Sequence, residues 1–160
     1  MQKFEMPNAL EAVAAFHNTF QHPVLDAPTL PSAQRAALRV SLLAEELKEL
    51  EQAIADGDLV EVADALCDLQ YVLSGAVHEF GLGSRFAELF NEVQRSNMSK
   101  ACKTVEEAEA TVAHYQAQGT ECHYEEVQGL YLVYRTADRK TLKSVAYSPA
   151  QLEPLVTKNA

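Results

Sequence analysis

A mainly α-helical bundle with a small C-terminal β-hairpin appendage is the fold class predicted for this 160-residue chain, and three observations predict it. Apolar residues recur at helical spacing: Leu43, Leu47, Leu50 and Ile54 in one segment, then Val62, Leu66, Leu69 and Leu73 in the next. Capping residues and glycines punctuate these segments where helices start and stop. Beyond Gly119 the period shortens to that of strands. Residues 1–119 are therefore expected to form a helical domain, and residues 120–160 a hairpin plus a short helix packed on that same domain. A lone hairpin is marginal in water, so it needs a surface to pack on.

Each element has its own signal. Asn8 is placed to cap a first helix running to about Phe20, with Leu10, Val13, Phe16 or His17, and Phe20 on its inner stripe. Pro23, Pro28 and Pro31 punctuate a loop from His22 to Pro31. Ser32 caps a long second helix, Asp56-Gly57-Asp58 turns the chain, and a third helix follows. Gly81-Leu82-Gly83-Ser84 reads as a stop and a new cap, with a fourth helix from about Arg85 to Arg95. Thr104-Val105-Glu106-Glu107 has the capping-box pattern and opens a fifth helix ending near Gly119. Tyr131-Leu132-Val133-Tyr134 and Thr141-Leu142-Lys143-Ser144-Val145 are strand-like, with Ala137-Asp138-Arg139-Lys140 as the hairpin connection and Tyr124–Val127 as an edge strand. Ser148-Pro149 opens a short terminal helix.

The chemistry lies in acidic residues set at helical spacing on both sides of the Gly57 turn: Glu45, Glu46 and Glu49 before it, Glu61, Asp64 and Asp68 after it. At about 100° per residue the last three fall within one narrow arc. Apolar residues wall that arc, with Val60 and Cys67 flanking it, and a helix apolar nearly all round is normally buried. Carboxylates in such a place need protonation, an ionic partner or a cation. Folding back at Gly57 makes the two helices antiparallel neighbours. Counting residues from the turn then brings Asp64 level with Glu49 and Asp68 level with Glu46, with Glu61 about one turn nearer the loop. Carboxylates facing across a gap of about 8–10 Å can share a cation. An all-oxygen set suits a hard ion, Mg²⁺ with Mn²⁺ as a substitute, beside a phosphorylated substrate. The plain alternative is a solvated acidic face with structural ion pairs.

Glu45-Glu46-Leu47-Lys48-Glu49 followed by Glu61-Val62-Ala63-Asp64 resembles the EExxE and ExxD signatures of the all-α nucleoside triphosphate pyrophosphohydrolases, a group of MazG-like, phosphoribosyl-ATP pyrophosphohydrolase-like and dimeric dUTPase-like enzymes. The resemblance covers residues 1–115. It implies a helical bundle of that type and Mg²⁺-dependent cleavage between the α and β phosphates of a nucleotide, giving a monophosphate and pyrophosphate. It also implies a homodimer or higher assembly in which a second subunit completes the bundle. Carried over by position, Glu46, Glu49, Glu61 and Asp64 are the implied metal ligands, and Glu45 stands behind them. Asp68 lies outside the signature and rests on the register argument alone. Glu46 or Glu49 would take the proton of the attacking water. After the fourth helix, Ser96-Asn97-Met98-Ser99-Lys100 is similar to a stretch in some relatives, and Arg95, Asn97 and Lys100 are assigned to phosphate or nucleotide contacts. Cations at a helix C-terminus also oppose its dipole without any ligand.

Composition narrows the field further. A net charge of −10 argues against nucleic acid and anionic membranes as partners. Cys67, Cys102 and Cys122 are odd in number and lack CxxC spacing, which implies neither a disulfide framework nor zinc; Cys67 reads as core, and a reducing, cytoplasmic setting is expected. No apolar run reaches the ~18 residues of a membrane span, and Met1-Gln2-Lys3 opens no signal region. The five histidines avoid the Glu-x-x-His spacing of di-iron bundles, and His17 reads first as a core or boundary residue and second as lining a base pocket beside Phe20. No GxxxxGK[ST], GxGxxG or GxSxG motif is present, so phosphate handling falls to metal and side chains. Two competing readings remain: phosphoribosyl-ATP pyrophosphohydrolase itself, and a non-catalytic dimerisation or regulatory module with a structural metal. The region after Gly119 departs from minimal phosphoribosyl-ATP enzymes, and no residue singles out a particular base.

Overall fold

The computed structural model describes residues 3–5 and 7–157. In chain order it contains α1 (Ala9–Thr19), α2 (Ala33–Asp56), α3 (Leu59–Glu79), a 3-10 turn (Gly83–Arg85), α4 (Phe86–Met98), α5 (Val105–Gln116), β1 (Cys122–Val127), β2 (Leu130–Arg135) and α6 (Glu153–Thr157). The architecture is mainly α with one antiparallel hairpin, as the sequence predicts. Two compact units make up the chain: the residues up to Phe86 together with Val156 and Thr157, and Ala87–Leu155.

In the first unit α3 packs against both α1 and α2. The α2 start and the turn after it form for the reasons legible in sequence. The Ser32 hydroxyl accepts the Arg35 amide at 3.4 Å, Gly57 takes the left-handed φ of 69°, and Asp58 Oδ1 accepts the Val60 and Glu61 amides at 2.9 and 3.2 Å. Asn8 differs from expectation: it makes no backbone cap and gives its amide to the Glu11 carboxylate instead. The inner stripe of α1 is also narrower than predicted. Val13 and His17 are buried, whereas Phe16 and Phe20 are 38% and 60% exposed. The reason is polar: His17 Nδ1 donates to the Pro23 carbonyl at 2.8 Å, leaving Nε2 to face Arg39 Nη2 at 3.4 Å.

That histidine borders an ionic core which no motif announced. Glu79 is fully buried at the end of α3 and accepts from Arg35 Nε at 3.0 Å and Arg39 Nε at 2.9 Å, with a second nitrogen of each guanidinium also in contact. Burial pushes the Glu79 carboxyl up, but the hydrogen bonds from Arg35 and Arg39 outweigh it and hold the group below its ordinary value. Gly75 makes room: a Cβ there would stand 2.7 Å from Arg39 Nη1 and 3.0 Å from His17 Nε2. His78 Nε2 donates to the Leu10 carbonyl at 2.7 Å, tying α3 to α1. Gly81, at φ 66°, lets the incoming loop pass, because a Cβ would overlap the Ala27 carbonyl oxygen at 1.8 Å.

In the second unit α5 packs on β1 and β2. Cys102, Ala108, Cys122, Val133 and Leu142 form the core there, so α5, grouped with the helical domain on sequence, shares its core with the hairpin. Thr104 caps α5 as predicted, accepting the Glu107 amide at 3.2 Å. The hairpin itself is a correction. β1 pairs with β2, Val127 opposite Leu130 and Cys122 opposite Arg135, through Gln128-Gly129 at φ 53° and 78°. Two positive φ values in a two-residue loop match the twist of the strands. The expected strand at residues 141–145 contributes only an isolated bridge between Thr141 and Tyr134. Ser144 is drawn out of the ladder: its amide donates to the Lys100 carbonyl at 3.2 Å and its hydroxyl to Glu107. Ser148-Pro149 opens no helix either, since Arg95 takes both of their carbonyls; α6 starts at Glu153. α4 runs on to Met98, past the expected end at Arg95.

Candidate functional site: the carboxylate face of the α2–α3 hairpin

The six predicted acids are less deeply set than the apolar sequence around them implied. Glu45, Glu49, Glu61 and Asp64 are exposed, while Glu46 and Asp68 are half-buried. Their apolar neighbours face outward in the single chain: Leu47 is 49% exposed, Ile54 62%, Val60 76%, Leu66 52% and Leu73 40%, and Cys67, expected in the core, is exposed as well. Helical periodicity reports a shared face and is silent on what covers it.

Glu46 is the informative residue. Its Oε2 is buried without a hydrogen-bond partner. The carboxyl is pushed above its ordinary value, first by burial and then by the charges of Asp68, Glu49, Glu45 and Asp64. Both helices thus focus negative charge on one buried oxygen, and Asp68 heads the charged neighbours, in line with its register opposite Glu46. Glu61 is absent from that set, consistent with its position one turn nearer the loop. Among the described residues, no three His, Cys, Asp or Glu side chains converge into a ready-made cation cage. Like charges on an exposed face repel, and water solvates them separately. The donor set still fits a hard divalent ion: every donor is a carboxylate oxygen, and a buried carboxylate oxygen without a partner is what a cation relieves. An open recess beside the cluster is lined by Ser41, Ala44, Glu45, Lys48 and Glu49, which adds a cation, Lys48, that the sequence reading passed over.

Arg95, Asn97 and Lys100 lie in the second unit, where they have partners of their own. Arg95 binds Glu92 through two nitrogens at 2.7 and 2.8 Å, and also meets Ser148 Oγ at 3.1 Å and the Pro149 carbonyl at 3.0 Å. Arg95 holds the Glu92 carboxyl down at about 2, aided by the Gln151 amide at 2.7 Å. Lys100 Nζ donates to Asn97 Oδ1 at 2.9 Å. Arg95 therefore serves here as a clamp on residues 148–149. The missed residues, Arg35, Arg39 and Glu79, had one faint signal: charges spaced four apart on an otherwise apolar helical face.

The carboxylates thus lie on two helices joined by a glycine turn within a mainly α-helical chain. Residues 13–97, just over half the chain, match the family model described as phosphoribosyl-ATP pyrophosphohydrolase, and the chain belongs to that family. The family's description names hydrolysis of a phosphoanhydride. An uncharacterized protein of Acanthamoeba polyphaga mimivirus is 35% identical over 80 residues, covering 45% of this chain and 30% of the viral protein. The chain thus spans less than a third of that relative's length. Among the described residues, no helix is long and apolar enough to cross a membrane.

Proposed function

We propose that this chain is a Mg²⁺-dependent nucleotide pyrophosphohydrolase that cleaves a nucleoside triphosphate between its α and β phosphates, releasing a nucleoside monophosphate and pyrophosphate. The observation that carries the reading is the unpartnered Glu46 oxygen facing the charges of Asp68, Glu49 and Asp64. Glu46, Glu49, Asp64 and Asp68, with Glu61 from the loop side, would hold the cation. Bound there, Mg²⁺ or Mn²⁺ supplies neutralisation of the polyphosphate and acidification of a water. The chain's own part is to orient that water and take its proton on a Glu49 or Glu46 oxygen, with Glu45 shaping the field behind them. Phosphoribosyl-ATP is the second substrate reading, favoured by the family match. Contacts of Asn97 and Lys100 with phosphate rest on resemblance alone.

A homodimer belongs to the same proposal. Val40, Leu47 and Ile54 are exposed at seven-residue intervals on α2, and Leu59, Leu66 and Leu73 at the same interval on α3. Seven residues drift only ~20° around a helix, so each set is a straight stripe. Counted from Gly57, Ile54 is level with Leu59, Leu47 with Leu66 and Val40 with Leu73. The result is a three-tiered apolar face of the kind that a second copy covers in a helical bundle. The cytoplasm remains the expected setting.

The test is pyrophosphate release from a panel of nucleoside triphosphates and phosphoribosyl-ATP with Mg²⁺, comparing wild type with Glu49→Gln and Asp64→Asn. The expected result is release by wild type and its loss in both variants. A folded wild type that releases nothing from any of them would leave the non-catalytic module as the better reading.

A further inference from the structure

Beside the carboxylates stands a group of rings that the core does not use. Tyr71 follows Asp68 by three residues and Asp64 by seven, which places it within roughly 60° and 20° of them around α3. Phe16 meets Tyr71 edge to face with centroids 5.6 Å apart, Phe20 lies 4.4 Å from Phe16, and His22 stacks on Phe16 at 6.1 Å with an interplanar angle of 25°. These rings stay open to solvent: Tyr71 is 39% exposed, Phe16 38% and Phe20 60%, and His22 is exposed too. α1 anchors itself through Val13 and His17 and does not need Phe16 or Phe20 inside. Nor do the rings belong to the apolar face of α2 and α3, because Tyr71 sits about 140–160° around α3 from Leu66 and Leu73. Four contiguous open rings, His22 near-parallel to Phe16, Phe20 tilted and Tyr71 edge-on to it, form a mostly uncharged cluster beside the acidic face, one helical turn from where a polyphosphate would be held.

We propose that the Tyr71, Phe16, Phe20 and His22 rings are the platform on which the base of the substrate stacks. This rests on the nucleotide reading of the neighbouring carboxylates. Stacking engages the π face that every base presents, so the platform accepts purines and pyrimidines alike, and His22 is the ring able to hydrogen-bond a base edge. Division of labour follows: carboxylates and cation take the phosphates, rings take the base.

The test is calorimetric binding of the four common nucleoside 5′-monophosphates, with Mg²⁺, to wild type, Phe16→Leu, Tyr71→Leu and the more exposed Phe20→Leu, with far-UV melting to confirm folding. Leucine keeps apolar bulk and removes the π face. Losing a stacked ring costs about 1–3 kcal/mol, so dissociation constants should rise roughly 5- to 150-fold. Mn²⁺ affinity of the three ring variants should stay unchanged. Where a triphosphate is hydrolysed, KM should rise with kcat little altered. Affinities within twofold of wild type in all three ring variants would overturn the platform, as would a wild type that binds no nucleotide. Ring-dependent binding without pyrophosphate release would uphold the platform and refute the hydrolase reading.

Discussion

Replacing Glu79 by glutamine removes the negative charge that faces two guanidinium groups inside the first unit. The Arg39 side chain is 7% exposed and that of Arg35 31%, so Arg39 is left almost without compensation while water partly supports Arg35. Deleting one partner of a buried ion pair costs about 3–5 kcal/mol, and partial solvation of Arg35 places the expected loss near ~3 kcal/mol. For a chain of this size, 1 kcal/mol moves the melting temperature by about 2–4 °C, so Glu79→Gln should lower Tm by roughly 6–12 °C. Urea unfolding and scanning calorimetry at neutral pH measure both quantities. Because the Glu79 carboxyl is held below its ordinary value, its stabilisation is present above the usual carboxylate range and is lost as pH falls through the depressed value. The variant should therefore also lose stability less steeply in acid. Glu79→Leu combined with Arg39→Met should recover much of the deficit, as apolar packing replaces the pair. A loss below about 1 kcal/mol for Glu79→Gln would refute the reasoning.

Other consequences are equally open to measurement. Glu46→Gln should stabilise the cation-free protein at neutral pH, because the raised carboxyl favours folding while protonated and opposes it as pH rises through its folded value; thermal melts in a chelator at pH 5 and 8 check the sign. Gly75→Ala should destabilise by about 1–3 kcal/mol despite alanine's helix advantage, since Glu79 keeps the Arg39 guanidinium from yielding to a Cβ 2.7 Å away; equal stability would show the network to be pliable. Leu47→Glu with Leu66→Glu should convert a dimer into a monomer in sedimentation at micromolar concentration, and a wild type that is already monomeric contradicts the apolar-face argument. Lys100→Ala should weaken nucleotide binding with folding intact, and unchanged affinity removes that residue from the phosphate contacts.

Several caps and turns are legible because their chemistry is local, although Asn8, which has a cap's residue type, bonds Glu11 instead. Ser32, Gly57, Asp58 and Thr104 act through their own backbone neighbours, and all four do what their residue types dictate. Reading failed where the decision is tertiary. Gln128-Gly129 carries a usable hairpin signal, yet Tyr131–Tyr134 and Thr141–Val145 both alternate, and only the pull of Lys100 and Glu107 on Ser144 decides that the second is no strand. Leu47, Leu66 and Leu73 have the periodicity of core residues and lie on the outside of one chain, because periodicity cannot say which molecule covers a face. Counting from the turn sets Glu46 opposite Asp68, and Asp68 heads the charges that raise the Glu46 carboxyl. The Arg35–Arg39–Glu79 network joins residues about 40 positions apart without a motif, and the contacts of Arg95 with Glu92 and residues 148–149 likewise carry no local signal.

The most direct test of the central claim is Mn²⁺ binding followed by the loss of its free EPR signal in wild type, Glu46→Gln and Asp68→Asn. If the carboxylates focused on Glu46 form a divalent-cation site, wild type binds Mn²⁺, Mg²⁺ competes for it, and each substitution weakens binding at least tenfold. Wild type that leaves the Mn²⁺ signal free, or variants that bind as wild type does, would contradict the account.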